Sequence, residues 1–440
     1  GGALIYGSVL NDGGRYRMWY QATPKSPRKY PSCLVGYAES DDGIEWYKPT
    51  LGLVDYNGKK NNLCNLGFHC PSVFIDPDSL PNYRYRATGH IDSRWGPYHS
   101  AAEPYTGFGY YTAHSQDGLN WELDSPSPRW RYADCIYSTY HPGRGGAQVL
   151  MKVVRRIGGL ARRTWWEVEM QDGKWSNPSP ALIPDDFADV SAIARGYASA
   201  DYYGIGLLPV GHGTVGFVQQ FRHNLPRRTT PMGSEAGRIG VVDLSLAYQA
   251  DRVSGWTHAT GRSDFVAHGD IPWATRLVYC ASNVTEFGNE HRLYIGCTPG
   301  SHGVSPPKGM ERSEKIGYAS WPEWRLFGYR ADQYGELDID LGILTKSSEF
   351  VLNYEVQVGG SIQVQISTLN DNQRIELHDP VAIKGRTTDD GLRLIGNSTK
   401  EIVRWNNGSV IHPSKGQRVF AHLSVERATI YGYELRTIKP

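Results

Sequence analysis

The chain has 440 residues, a formal net charge of +1 and no apolar run long enough to cross a membrane as a helix. A balance so close to neutral excludes a general nucleic-acid binder, which needs a basic surface for phosphate. With 50 glycines, 28 tyrosines and 13 tryptophans, the composition favours many short strands and turns, and the length leaves room for two domains with sizeable cores.

From the N-terminus to about residue 335 one supersecondary pattern recurs in five copies. The first strand of each copy reads GSVLND from Gly7, PSVFIDP from Pro71, DCIYSTYHP from Asp134, DYYGIGLLPV from Asp201 and RLVYCASNV from Arg276. The second strands run from Tyr16 to Gln21, Tyr83 to Thr88, Gln148 to Val154, Val215 to Phe221 and His291 to Cys297. The third strands end at Trp46, Trp121, Trp175, Trp256 and, more loosely, Trp324. A strand-and-turn repeat of this kind, with no convincing amphipathic helix, predicts an all-β fold whose residues 1–335 form a five-bladed β-propeller. Asp-Gly before the tryptophan suits a tight hairpin, so Asp42, Asp117 and Asp172 are read as turn formers.

After Tyr334 the pattern changes. FVLNYEV, GGSIQVQIS with alternating Ile362, Val364 and Ile366, EIVRW, RVFAHLSV and ATIYGYEL read as strands of an antiparallel β-sandwich over residues 336–440.

The six cysteines, Cys33, Cys64, Cys70, Cys135, Cys280 and Cys297, show no C-x-x-C pairing and no familiar zinc spacing. Most fall in strands, which favours buried free thiols, although Cys64 and Cys70 are near enough in sequence to close a short loop. The sequons at Asn283, Asn397 and Asn407 matter only in a source that glycosylates. The sequence lacks an initiator Met and begins almost inside the first strand, which reads as a trimmed N-terminus that once carried a leader. A secreted or periplasmic location is the resulting expectation.

Taken together, the fivefold repeat, the lone strand GGSIQVQI, the Trp-containing strand Val403-Arg404-Trp405 and the closing RATIYGYEL resemble the glycoside hydrolase superfamily of five-bladed propellers, which includes invertases, levanases and arabinanases. The appended sandwich is similar to that of the invertase and levanase branch. The resemblance implies an axial funnel lined by acidic residues, because glycoside hydrolysis uses one carboxyl group on the leaving oxygen and another on the anomeric carbon or water. That branch has an Asp early in blade one, Arg-Asp-Pro at the start of blade two and Glu-Cys at the start of blade three. This sequence has no acid ahead of Asp12 in blade one, His69-Cys70-Pro71 in blade two and Asp134-Cys135 in blade three. Asp134 is the one position carried over. Some arabinanase-like propellers hold an axial calcium, which His69, Asp134 and Asp201 would line here; no ligand spacing calls for a metal.

Propeller geometry supplies further candidates. Asp201 opens blade four as Asp134 opens blade three, Asp270 precedes blade five, and Glu103 sits on the long segment after the second strand of blade two; these three join Asp134 as candidate catalytic residues. His69, His302 and Trp95 are candidate sugar contacts. The segments joining second to third strands are rich in basic residues, among them Arg155, Arg156, Arg163 and Arg228, which suits a sulfated or uronate glycan. The expected activity is an exo-acting glycoside hydrolase on a poly- or oligosaccharide. Its rivals are a non-catalytic glycan-binding propeller and a structural surface protein; oligomer formation stays open.

Overall fold

The computed structural model describes residues 2–23, 34–56, 58–91, 106–132, 134–224, 239–273, 276–298, 300–302, 315–370, 372–374, 378–412 and 416–438. It divides into two compact units, Gly1–Glu286 with Arg292–Ser320, and Phe287–His291 with Trp321–Pro440.

The first unit is built from antiparallel blades. Gly2–Asp12, Arg15–Thr23 and Leu34–Ser40 form blade one, and His69–Ile75, Tyr85–Ile91, Gly109–Ser115 and Glu122–Leu123 form blade two. Blade three is Ile136–His141, Gly146–Ile157, Leu160–Gln171 and Lys174–Trp175. Ser199–Val210, Gly213–His223 and Gly240–Gln249 make blade four, with Thr257–His258 and Asp264–Val266 on its outer edge; Leu277–Cys280, Glu290–Thr298 and Lys315–Pro322 make blade five, and one parallel bridge, Val242 to Leu277, joins the two into a single sheet. The first strands lie innermost. They touch in succession, blade one to two, two to three, three to four, four to five, and five back to one.

Small polar residues allow that close approach. The Ser8 hydroxyl accepts from the Val73 amide at 2.7 Å, the Ser72 hydroxyl accepts from the Ser138 amide at 2.7 Å, and the Ser8 and Ser282 hydroxyls are 2.6 Å apart. The Ser282 carbonyl accepts from the Leu207 amide at 2.9 Å, and its amide donates to the Gly7 carbonyl at 2.8 Å. These groups are buried, so an unpaired donor or acceptor among them would be costly.

The Asp-Gly turns behave as their chemistry requires. One carboxylate oxygen of Asp42 accepts from the amides of Ile44 and Glu45, both at 2.8 Å, and Asp117 repeats this with Leu119 and Asn120. Trp19 and Trp121 both donate their indole N–H to the Gly118 carbonyl, which stitches blade one to the turn of blade two.

One expectation fails: a helix is present, Asp186–Ile193. Asp185 caps it by accepting from the Ala188 amide at 3.0 Å, and Ala188 and Ala192, four apart, face inward against Ala200. Its large apolar residues Phe187, Val190 and Ile193 point to solvent. An apolar stripe on the outer face of so short a segment gives no amphipathic signal of the usual kind.

The second unit is an antiparallel β-sandwich. Two very long strands, Ser348–Asn370 and Gln417–Thr437, pair along their length with a break in register between Val356 and Ser361, and Tyr329–Ile343 pairs with the latter. Phe350, Ile362, Val364, Trp405 and Val419 sit in its core, and the Trp405 indole donates to the Val364 carbonyl at 2.9 Å.

Candidate active site where the inner strands meet

All five inner strands contribute to one place. Blade one brings Tyr6, blade four Tyr203 and blade five Tyr279, while the starts of blades two and three bring His69-Cys70 and Asp134-Cys135. The Tyr6 ring lies 4.7 Å from Tyr279 and 5.7 Å from His69, centroid to centroid, and Tyr203 lies 5.8 Å from Tyr279.

Asp134 is the focus of this group. One of its oxygens is 2.8 Å from His69 Nε2, and the other accepts from Lys152 Nζ at 2.8 Å. Lys152 comes from the second strand of blade three and packs 4.0 Å from the Tyr203 ring centroid. The two partners differ in access: the Asp134 side chain is 37% exposed, that of Lys152 only 2%. Partial removal from water raises the Asp134 pKa, but the Lys152 ammonium and the His69 hydrogen bond outweigh this and hold the carboxyl well below its usual range. An ionised carboxylate therefore meets solvent while its cation is sealed behind it.

Two thiols flank the pair. Cys135 Sγ is 3.3 Å from Cys70 Sγ and 3.5 Å from Lys152 Nζ. Burial alone would raise the Cys135 pKa, yet the hydrogen bond from Cys70 and the Lys152 charge draw it down, whereas burial pushes Cys70 up. Both are free, as are Cys64, Cys280 and Cys297, and all five are buried. Cys64 and Cys70 thus form no bridge, and Cys33 lies outside the described residues.

Asp201 occupies a different setting. Its side chain is 1% exposed and is held by Arg162 at 2.8 Å and Arg163 at 2.9 Å, with His223 at 3.6 Å. Burial raises its pKa, but His223 and the two guanidiniums bring it far below the ordinary carboxylate value. Arg163 in turn lies 4.9 Å from the Phe221 ring centroid. His302 Nε2 is 3.0 Å from the Tyr203 hydroxyl, and its ring is 5.0 Å from Phe221. His69, Asp134, Lys152, Tyr203, Arg163 and His302 thus adjoin one another.

Other candidates stand apart. Asp270 is exposed and accepts from the Ala267 amide at 3.0 Å within a turn. Arg155 stacks on Trp166 and Tyr132, 4.7 and 5.3 Å from their centroids, and Arg156 is exposed on the same strand. Residues 155–163 belong to two long strands joined by Gly158-Gly159, whose φ angles of +56° and +81° suit a two-residue hairpin. Glu103, Trp95 and Arg228 lie outside the described residues. The Asn283 amide is buried and donates to the Val9 carbonyl at 2.6 Å, so this sequon faces no solvent.

Sequence reasoning missed Lys152, Tyr6, Tyr203 and Tyr279. Lys152 had left a mark, a single cation inside the apolar run QVLMKVV, since lysine is almost never fully buried unless paired. The tyrosines left none, being three among 28.

No protein-family model matches the chain. A 67-residue stretch is 34% identical to an uncharacterised protein of Mycobacterium tuberculosis, covering 14% of this chain and 21% of that protein. The chain thus spans about a fifth of the curated relatives it matches. Solved structures similar to it include a GH32 β-fructofuranosidase of Bombyx mori, at TM-score 0.42 and 12% identity over 98% of this chain and 90% of that one. An exo-β-1,3-galactanase of Phanerochaete chrysosporium gives TM-score 0.40 and 10% identity over 97% and 96% of the two chains. A fructofuranosidase of Schwanniomyces occidentalis gives 0.41 and 10% over 99% and 95%. Identities and scores at this level assign neither an activity nor a catalytic residue to this chain.

Proposed function

We infer that the chain is a glycoside hydrolase whose reaction takes place beside Asp134. The observation that carries this reading is the solvent-facing, ionised carboxylate of Asp134 at the meeting point of five inner strands, backed by the buried Lys152 ammonium. A carboxylate kept anionic suits attack on, or charge stabilisation of, an oxocarbenium-like centre, and not proton donation. In this reading the proton comes from Glu103, in the segment between Tyr85–Ile91 and Gly109–Ser115, and Asp201 acts indirectly by holding Arg163 beside Phe221 and Tyr203. The basic segments joining second to third strands, with exposed Arg156 among their residues, support a sugar bearing a carboxylate or sulfate. Exo-action and a secreted or periplasmic setting complete the proposal.

One observation favours a second reading, a glycan-binding propeller without catalysis. Asp134 is the one carboxylate near Tyr6, Tyr203 and Tyr279 that reaches solvent among the described residues, since Asp201 is enclosed. A product assay separates the two. Wild-type protein incubated with a panel of neutral, uronate and sulfated oligosaccharides should release sugar from at least one of them. Retention on a glycan column with no release from any member would support the binding reading and end the hydrolase one.

A further inference from the structure

The same place also holds four metal-type donors, two of them thiols that the proposed hydrolysis does not use. His69 and Cys70 begin blade two, Asp134 and Cys135 begin blade three, and in each case a nitrogen or oxygen ligand is followed directly by a cysteine. Folding brings the two dipeptides together, so that one ligand atom from each of the four residues lies within 4.8 Å of every other. Both thiols are enclosed, at 2% exposure for Cys70 and none for Cys135.

The backbone points the same way. Cys70 has φ of +51°, in the left-handed region that residues other than glycine avoid. Such a conformation is strained for a residue with a side chain and tends to persist where function requires it. The pairing of blade two's first two strands shifts register between His69 and Ser72 at this point, and the outcome is a Cys70 sulfur turned onto Cys135 across the boundary between blades.

We propose that His69, Cys70, Asp134 and Cys135 form a binding site for a zinc-class divalent cation. Two thiolates with an imidazole and a carboxylate make a soft, four-ligand set of the kind zinc takes, whereas calcium and magnesium take six or more oxygens. Zinc bound at about 2.3 Å to each sulfur would hold the two sulfurs roughly 3.8 Å apart in tetrahedral geometry, so the observed 3.3 Å separation needs only a small opening. On binding, each thiol releases its proton to solvent. The two thiolates and the carboxylate then balance the dication and the Lys152 ammonium. Asp134, on the solvent side, is the ligand that a water or sugar hydroxyl could displace.

Cobalt(II) added to reduced, chelator-treated protein tests this without any substrate. The expected result is stoichiometric uptake with a thiolate-to-cobalt charge-transfer band and the visible absorption of a tetrahedral site, displaced by zinc. Cys70→Ser and Cys135→Ser should each abolish the band, and Cys297→Ser, a thiol elsewhere, should keep it. If either serine variant fails to fold, X-ray absorption at the zinc edge of the wild-type protein replaces it, with two sulfur scatterers expected. Folded, reduced wild type that shows no band, a band that survives both site variants, or a zinc shell of oxygen and nitrogen alone would overturn the proposal, as would a Cys70–Cys135 disulfide that resists reduction in the native protein. Glycan release is not read here, so the outcome of this test is distinguishable from that of the hydrolase reading, although both draw on Asp134.

Discussion

Lys152 Nζ and an Asp134 oxygen lie 2.8 Å apart, yet only the carboxylate reaches solvent. The pair is therefore a polarised boundary: a fixed positive charge under the surface keeps an anion exposed above it. Two consequences follow for Lys152→Met, which keeps the stem volume and removes the charge. Asp134 loses the cation that depresses it, so its pKa rises, and the acid limb of the pH profile of glycan release should move to higher pH with the alkaline limb in place. A profile that keeps its acid limb would show that Lys152 does not set the charge of the reacting group.

Asp201 is a structural anion by the same reasoning. Asp201→Asn leaves the Arg162 and Arg163 guanidiniums enclosed without their counter-ion, and removal of one partner from a buried ion pair costs about 3–5 kcal/mol. The folded-state pKa of Asp201 is depressed, so the stability it contributes is complete above the unfolded-chain value of about 3.9 and fades as pH falls below it. Urea midpoints measured from neutral pH down into that range should fall for wild type and start lower but fall less for Asp201→Asn. Equal midpoints at neutral pH would contradict the burial and pairing described.

His258 carries a second acid-sensitive term. Burial, followed by the Arg262 charge, lowers its pKa to about 4, and its Nε2 is 2.8 Å from the Tyr202 hydroxyl. A histidine depressed in the folded state supports folding fully above about 6.5, its unfolded value, and less as pH falls towards 4. His258→Gln should therefore flatten the pH dependence of the melting temperature between those two values, whereas a slope identical to wild type would exclude this residue as its source.

How much of this was legible beforehand depends on what each residue does. The blades were readable because turn chemistry repeats: Asp42 and Asp117 cap their hairpins through the same two amide contacts, and a pattern set by local backbone demands leaves a local trace. Ser8, Ser72, Ser138 and Ser282 were not singled out, because their contact from blade to blade is a fact of tertiary structure. Asp134 could be proposed because Asp134-Cys135 stands where the branch it resembles has Glu-Cys. Arg163, by contrast, read as a cation of a solvent-facing segment but points inward to Asp201; no periodicity tells a paired buried arginine from a solvated one. The helix Asp186–Ile193 escaped because its inward face is two alanines.

The second unit offers an independent check on its core. Trp405 is 2% exposed and covered on one face by Arg386, 5.1 Å from its centroid. Trp405→Ala removes a large buried ring and leaves the Val364 carbonyl without its donor, at a cost of about 3–5 kcal/mol. The urea midpoint should drop accordingly, and a change inside experimental error would mean the ring does not pack as described.

The central claim is that the reacting group is the Asp134 carboxylate. Its most direct test is the rate of sugar release by folded Asp134→Asn on whichever glycan the wild-type protein cleaves. The expected result is a loss of roughly 10²–10³-fold, the range that removal of one charge-stabilising group costs, in protein that is still folded but melts lower because the buried Lys152 ammonium has lost its counter-ion. A variant that releases sugar at the wild-type rate would contradict it.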